Sequence, residues 1–496
     1  MELQWRTIPC ACLKSGIRQV QNQEQTLELR LTEGMPDIGR VICAGGQACL
    51  RGKQWRSDSI GISGGITLWV LYAPEDGSEP RCVEGWMPFQ AKWPLPENHR
   101  EGKILVQTLL RNLDARSLSA RKLMIRGSVA IFAETYMPTE VLVTKPEELP
   151  DGLQVYRRTY PVRLCREAGE KAFYLEENLQ MPQEPIRKIL WCRIEPSVSE
   201  QTVAGSRVVM RGVSETHCAY MGEDDQIHCI TERIHFAQFA ELDDSFDKEA
   251  TVSTVMAVSD LAWDLEEGQV KIKCNLVAQY LIHVPCLLEL AEDAYSPMRA
   301  VRPTVSALEL PLLLDDLLQP LEAEVEMPAS AERILDAVFL PDYPVMYREN
   351  DQISLEIPGA FHALYYDREG NVQSALTEWT GRWQLPMKED CGARIFLDGC
   401  HVTSGATNGE RVQLGGLVHM RIQTCTNQSF PMVTALEVGE PIAPDPERPS
   451  LILRRAGEMS LWELAKLCGS TVEAIEKANQ LCEDPLPDQM LLIPVM

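Results

Sequence analysis

The residues with the greatest capacity for chemistry lie close together near the middle of the chain. Three histidines fall within 19 residues, with two cysteines beside them: His217, His228, His235, Cys218 and Cys229. Imidazole and thiolate are the ligands that zinc prefers in proteins. Their spacing follows no known ligand pattern, however, and neighbouring residues of a strand point to opposite faces of a sheet. We therefore expect no metal site here.

An acidic run follows this segment, and carboxylate oxygens are the ligands that Ca²⁺ prefers. It consists of Glu241, Asp243, Asp244 and Asp247. The run lacks the glycine and the terminal glutamate of an EF-hand loop. A solvated loop is the better interpretation.

Motifs for nucleotide chemistry are also missing, because no segment has the Gly-x-x-x-x-Gly-Lys-Ser/Thr spacing of a phosphate-binding loop. Two glycine-rich segments, SGG at 63–65 and LGG at 414–416, are interpreted as glycines at strand edges. The sequence thus predicts no catalytic residues and no cofactor. It favours a binding protein over an enzyme.

Charge and composition narrow the choice of partner and compartment. The formal net charge is −25, so the surface repels nucleic acid and anionic lipid. No apolar run approaches the length of a transmembrane helix. The first residues lack the pattern of an export signal, and the 16 cysteines form no Cys-x-x-Cys pair. We expect a cytoplasmic protein with reduced thiols.

Self-similarity is the strongest organisational signal in this chain of 496 residues. Three Met-Pro pairs recur 146 residues apart: Met35-Pro36, Met181-Pro182 and Met327-Pro328. Each copy also has a tyrosine before an acidic turn, at Tyr72, Tyr220 and Tyr365. A third set of anchors lies 147 residues apart, at Phe89, Phe236 and Trp383. The sequence therefore predicts three copies of one domain, of which the third has diverged most.

The repeated unit is predicted to be mainly β. Segments such as 68–72, 122–136 and 270–281 alternate apolar and polar residues over part of their length, and turn residues separate them. Many short strands of this kind favour three tandem β-sandwich or barrel-like domains. Their predicted bounds are 1–148, 149–294 and 295–440, followed by a proline-rich linker at 441–450.

Residues 451–496 have a different character. Ser460 is a good N-cap, and Glu463 completes a capping box with it. Gly469 ends this first helix, and a second helix starts at Ser470 or Thr471. With a short strand at each end, the prediction is a small α+β domain of the order β-α-α-β.

This C-terminal segment resembles the LysM domain. The matching residues are Gly457, Glu458, Ser460, Leu461, Trp462, Leu464, Ala465, Ile475, Asn479, Leu491, Ile493 and Pro494. The segment departs from the pattern at Met459, an extra residue in the first turn, and at Gln489, which replaces the usual glycine. In sugar-binding members the groove lies between that turn and the loop before the last strand.

The resemblance implies a partner-binding surface around the first turn. Its predicted residues are Gly457, Glu458, Met459, Ser460, Leu461, Trp462, Asn479 and Gln489. Leu461, Leu464 and Ile475 are also expected in the core. Trp462 lies one step off the apolar face of the helix and is the better contact candidate.

As a whole, the chain resembles the SipL family of spore-coat morphogenesis proteins, in which SPOCS domains precede a C-terminal LysM domain. The resemblance implies a non-enzymatic scaffold of the mother-cell cytoplasm, at the forespore surface. It would dock a SpoIVA-like coat ATPase through the LysM domain and contact other spore-coat proteins. The alternative is a protein that binds peptidoglycan through its N-acetylglucosamine glycans.

Overall fold

The computed structural model describes residues 2–3, 5–96, 100–146, 152–180, 184–349, 352–385, 391–443, 447–481 and 487–496. Within these ranges the chain is mainly β, with two short helices near the C-terminus. The predicted fold class is confirmed at this level. The Met181-Pro182 anchor and part of the predicted 441–450 linker lie outside the described residues.

A first group of strands builds two antiparallel sheets. After the short β1 (Glu2–Leu3), its strands are β2 (Trp5–Arg30), β3 (Ile38–Trp55), β4 (Ser59–Pro74), β5 (Arg81–Pro94), β6 (Lys103–Ser119) and β7 (Lys122–Pro146). One sheet has the order β2-β7-β6 and the other β3-β4-β5. Side chains from both sheets share one buried cluster, which includes Ile62, Val106 and Ile131. The two sheets therefore pack face to face.

The second group repeats this arrangement. Its strands are β8 (Gln154–Asn178), β9 (Ile186–Gly222), β10 (Ile227–Phe246), β11 (Thr251–Glu266) and β12 (Gln269–Tyr295). One sheet has the order β8-β12-β11, and β10 pairs with β9 in the other. Strand β9 folds back on itself at Gly205, whose φ of 63° is left-handed. The two halves of β9 therefore lie beside each other, and the Ser197 hydroxyl of the first half donates to the carbonyl of Val213 in the second.

A third group follows, with strands β13 (Arg299–Pro328), β14 (Ala331–Pro341), β15 (Val345–Glu349), β16 (Gln352–Asp367), β17 (Val372–Leu385), β18 (Gly392–Thr407) and β19 (Arg411–Pro441). Strand β19 lies between β13 and β18, and β16 lies between β14 and β17. The short β1 adds to this group, because it pairs with the end of β19. In all three groups the long first strand pairs with the long last strand, which also pairs with the strand before it.

The sequence anchors occupy defined places in these sheets. The Tyr72 hydroxyl donates to the carbonyl of Pro36 at 3.0 Å, so two anchors of the first copy contact each other. Phe89 lies opposite Gly64, and Phe236 lies opposite Gly212. Each glycine is needed there, because a Cβ would overlap the ring opposite it.

The interpretation of the SGG and LGG segments as strand-edge glycines is wrong. Gly64 and Gly65 lie within β4, the central strand of its sheet, and Gly415 lies within the central strand β19. The segment 61–65 also has the Gly-x-Ser-x-Gly spacing of a nucleophile elbow. Ser63, however, lies within continuous strand and not at a strand-to-helix turn, so the elbow geometry is not formed.

Each strand group contacts both of the others. Trp69 of the first group stacks on Trp191 of the second, with ring centroids 4.0 Å apart. The Ile227 amide of the second group donates to the Tyr366 hydroxyl of the third at 2.8 Å. The Ser374 hydroxyl of the third group donates to the carbonyl of Ile42 in the first. The groups therefore close around a common centre.

Two buried glutamines join the groups at this centre. The Gln279 side chain of the second group hydrogen-bonds both the amide and the carbonyl of Val106 in the first. In the same way, the Gln107 side chain of the first group bonds both backbone groups of Leu397 in the third. Because a buried backbone group without a partner is costly, these bonds hold the strand ends of different groups together.

A buried ion pair completes the centre. The guanidinium of Arg394 donates two hydrogen bonds to Glu134, at 2.6 and 2.9 Å, and a third to Gln423 at 3.1 Å. Gln423 in turn donates to the hydroxyl of Ser253. Burial alone would lower the pKa of Arg394, but the carboxylate of Glu134 raises it well above its usual value. This network includes residues from all three groups.

Candidate functional site

The C-terminal unit has the elements β20 (Leu451–Arg455), α1 (Leu461–Cys468), α2 (Val472–Asn479) and β21 (Met490–Pro494). The two strands pair antiparallel. Leu464, Ile475, Leu491 and Ile493 are fully buried between the helices and the inner face of this small sheet. The order of elements is the β-α-α-β order expected from the sequence.

Local signals in the sequence explain the helix ends. The Ser460 hydroxyl accepts a hydrogen bond from the amide of Glu463, and the Glu463 carboxylate accepts one from the amide of Ser460. This capping box satisfies amides that the first helical turn leaves unpaired. Gly469 ends α1 in the left-handed conformation, and Thr471 caps α2.

The first turn and the loop before the last strand lie next to each other, as the LysM resemblance implies. The amide of Gly457 donates to the carbonyl of Pro487, and the amide of Ala456 donates to that of Gln489, both at 2.9 Å. Gly457, Glu458 and Ser460 are exposed, and Met459 and Gln489 are half-buried. Five of the predicted site residues are thereby brought together.

Two other predicted site residues have structural contacts within the unit. Leu461 is buried in the core. Asn479 donates to the carbonyls of Ile475 and Leu492 and accepts from the amide of Leu492 at 2.7 Å. These bonds tie α2 to β21, so the amide side chain of Asn479 is already engaged.

Trp462 turns toward the second strand group. Its indole N–H donates to Asp293 at 2.9 Å, and its ring contacts Tyr295 edge-on with centroids 4.7 Å apart. Tyr156 lies on another side of the ring, at 5.3 Å. Lys466 forms an ion pair with the same Asp293. The residue predicted as the better contact candidate thus joins the C-terminal unit to the end of β12.

Sequence reasoning missed an apolar surface on the outer face of the small sheet. Four exposed side chains form this surface, which we call the outer patch: Leu451, Leu453, Met490 and Leu492. Leu453 lies directly opposite Leu492 and is 62% exposed. The alternation of LILRR could have revealed it, because residues two apart on a strand share a face.

Replacing Asp293 by alanine is expected to loosen the attachment of the C-terminal unit. The change removes the acceptor for Trp462 and the ion-pair partner of Lys466, and a bond to a charged group contributes about 1.5–3 kcal/mol. Limited proteolysis should then cleave faster between the third group and β20. Asp264→Ala is the matched control, because Asp264 also pairs with a lysine, Lys273. Equal cleavage rates for both variants and the unchanged chain would contradict the expectation.

The histidine and cysteine residues in the middle of the chain do not converge. His217 contacts Thr231 and Glu215, His228 contacts Asp224, and His235 is exposed. Hydrogen bonding to His217 lowers the pKa of Glu215 to about 2. Over the described ranges, no group of three or more His, Cys, Asp or Glu side chains is arranged to hold a metal ion.

The acidic run is placed differently from the prediction. Strand β10 continues through Phe246, so Glu241, Asp243 and Asp244 lie on a strand end, whereas Asp247 lies in the loop that follows. Their exposure agrees with a solvated position. The amide of Asp243 is anchored by the carboxylate of Glu167.

The architecture is that of a β protein with several packed sheets and a small helical unit at its C-terminus. Residues 185–266, which span β9, β10 and β11, match the family model described as SipL, SPOCS domain. This match indicates a sporulation-related protein. No curated protein and no solved structure matches it. Among the described residues, neither helix has the length and apolar character that a membrane crossing requires.

Proposed function

We propose that this protein is a non-enzymatic scaffold of spore-coat assembly, which docks a SpoIVA-like coat ATPase through its C-terminal LysM-like unit. The observation that carries the proposal is the match of residues 185–266 to the SPOCS domain of SipL. The β-α-α-β unit after the strand groups supports it, because SPOCS domains followed by LysM are the arrangement of that family.

The domain organisation belongs to the same proposal. The first, second and third strand groups are three SPOCS-like repeats, with bounds near 1–148, 149–294 and 295–440. Their support is the common pairing order, in which the first and last long strands of each group lie side by side. The second group contains the residues that match the family model, so the other two groups are compared with it.

The outer patch is the proposed docking surface. Contiguous exposed apolar side chains on a small sheet mark a protein contact, because their burial against a partner is favourable. Trp462 is the only aromatic residue after position 450, and it contacts Asp293 and Tyr295. The unit therefore presents aliphatic side chains, which suit a protein partner better than a sugar.

The peptidoglycan alternative has one observation in its favour. The exposed first turn and the loop at 487–489 lie side by side, where sugar-binding LysM domains have their groove. Met459 and Gln489 both lie at this position. They alter the turn and the loop from which such a groove would be built.

The test is a pull-down of the SpoIVA-like ATPase of the same cell with the full-length chain and its Leu453→Asp variant. Capture should weaken about tenfold or more, since a loss of about 1.4 kcal/mol of binding free energy is tenfold. Leu287→Asp is the matched control, because Leu287 on β12 is 76% exposed and lies outside the outer patch. This variant is expected to leave capture unchanged.

Sedimentation with peptidoglycan separates the two candidates. The full-length chain should stay in the supernatant when insoluble peptidoglycan is pelleted. Pelleting with the glycan, combined with no capture of the ATPase, would refute the scaffold proposal and support the alternative. Equal capture by Leu453→Asp and the unchanged chain would show that the outer patch is not part of the interface.

A further inference from the structure

A cavity of about 600 Å³ lies where the three strand groups meet, and we call it the axial cavity. Its walls come from β2 and β7 of the first group, β8 and β12 of the second, and β13, β18 and β19 of the third. It is distant in sequence from the C-terminal unit. Its volume lies in the range of small-molecule sites, roughly 300–1,000 Å³.

Three corresponding positions of the strand groups face this cavity. The cavity is lined by Tyr136, His283 and Cys425. Each lies on the last long strand of its group, opposite the first residue of the strand that precedes it in the chain: β6, β11 and β18, respectively. The groups therefore contribute side chains from the same ladder position. The residue types differ, so the cavity has three chemically distinct sides.

Two of these side chains carry buried polar atoms that have no hydrogen-bond partner among the described residues. His283 is 3% exposed, and its Nδ1 has no hydrogen-bond partner within the described part of the chain. The Tyr136 hydroxyl, also buried, has no partner of good geometry there, although Glu134 lies close enough to help raise its pKa. Buried polar atoms are nearly always satisfied, so these two atoms are available to bond a molecule in the cavity.

The protonation state of His283 defines what it can bind. Burial, together with the nearby charges of Arg394 and Arg163, lowers the pKa of His283 to about 3. The imidazole is therefore neutral near pH 7, with one ring nitrogen donating and the other accepting. Tyr136 remains a phenol, because burial raises its pKa. Both can donate a hydrogen bond to an oxygen atom of a ligand.

The charge of the lining points to an anion. Lys14, Arg18 and Arg394 line the cavity, and no Asp or Glu is among the lining residues in the described ranges. Arg394 is engaged by Glu134, whereas Lys14 and Arg18 have no ion pair with any described residue. The lining is thus cationic, although the chain as a whole has a net charge of −25.

We propose that the axial cavity binds a small organic anion. Its carboxylate or phosphate oxygens contact Lys14 and Arg18 at the rim, and its inner polar atoms bond to the Tyr136 hydroxyl and to His283. A bound ligand of this kind contacts all three strand groups and stabilises their closed arrangement, because it binds the folded state and not the unfolded chain.

The experiment is isothermal titration calorimetry of the full-length chain with citrate and with glucose 6-phosphate, at constant ionic strength. Glycerol is the neutral comparison. At least one of the two anions should bind, and Arg18→Gln should weaken it about tenfold, in keeping with the loss of one charge-assisted bond. The matched control is Arg382→Gln, at an exposed arginine distant from the cavity, with unchanged binding expected.

Tyr136→Phe supplies a second, independent variant. It retains the ring and removes the hydroxyl, so its circular-dichroism spectrum should match that of the unchanged chain while binding of the anion weakens. Absence of binding by both anions would overturn the proposal. Binding that glycerol reproduces, or that Arg18→Gln and Tyr136→Phe leave unchanged, would overturn it as well.

Discussion

Replacing Arg394 by methionine is expected to lower the free energy of unfolding by about 3–5 kcal/mol, the usual cost of leaving one partner of a buried ion pair alone. The side chains of Arg394 and Glu134 are almost completely buried. Methionine fills similar volume but, among the described residues, leaves the Glu134 carboxylate with only the Ser15 hydroxyl as a polar side-chain hydrogen-bond partner. Urea unfolding, followed by the shift in the transition midpoint, measures the effect.

A second substitution distinguishes charge from packing. The double variant Arg394→Met with Glu134→Leu should recover most of the lost stability, because apolar residues often replace a buried ion pair without penalty. Arg382→Met is the control for loss of an arginine at an exposed position. A single variant as stable as the unchanged chain would show that the Glu134 carboxylate is not stranded.

Replacing Trp191 by alanine is the second change with a large expected effect, a destabilisation of about 3–5 kcal/mol for a buried tryptophan. Trp191 is 1% exposed and stacks on Trp69 with an angle of 13° between the rings. Because the two tryptophans belong to different strand groups, their contact holds the first and second groups together. The variant should be cleaved faster than the unchanged chain in limited proteolysis, and its unfolding midpoint in urea should be lower.

A control substitution distinguishes loss of the contact between the groups from loss of a tryptophan elsewhere. Trp86→Ala removes a ring that is 37% exposed and that carries Arg51 over its face, so its cost should be much smaller. The variants Trp69→Ala, Trp191→Ala and the double variant form a cycle whose coupling energy should be about 0.5–1.5 kcal/mol. Additive effects of the two substitutions would mean that the stacked rings do not interact energetically.

These contacts bear on how a scaffold of this kind would work. The strand groups share buried hydrogen bonds through Gln107 and Gln279, and the C-terminal unit is attached at Asp293. A partner bound at the outer patch would therefore be held at one place relative to the β groups. In the proposed function, the docked ATPase would therefore have a fixed position relative to the strand groups, and so a defined position on the growing coat.

The local features of the C-terminal unit could be predicted from sequence. The capping box of Ser460 and Glu463 and the glycine end at Gly469 depend on residues three to nine positions apart. The predominance of strands was predicted for the same reason, since alternation and turn residues are local patterns. The position of Gly64 was misjudged, because the carbonyl of Cys49 and the ring of Phe89, both on neighbouring strands, are what make a glycine necessary within a central strand.

Contacts between distant segments were decided by the tertiary structure alone. Trp462 was predicted as a contact residue from its helical position, but its contacts with Asp293 and Tyr295 depend on where the end of β12 lies. Neither Glu134 nor Arg394 carries a local signal, since 260 residues separate them. The axial cavity likewise exists only once three strand groups have closed around it.

The sequence by itself therefore determined the mainly β class, the periodic anchors and the capped helices near the C-terminus, because each is encoded by neighbouring residues. Only the tertiary structure decided which charged side chains are buried and which aromatic ring is engaged within the chain. The physical reason is that burial and pairing depend on the residues brought together by folding, and those lie far apart along the chain.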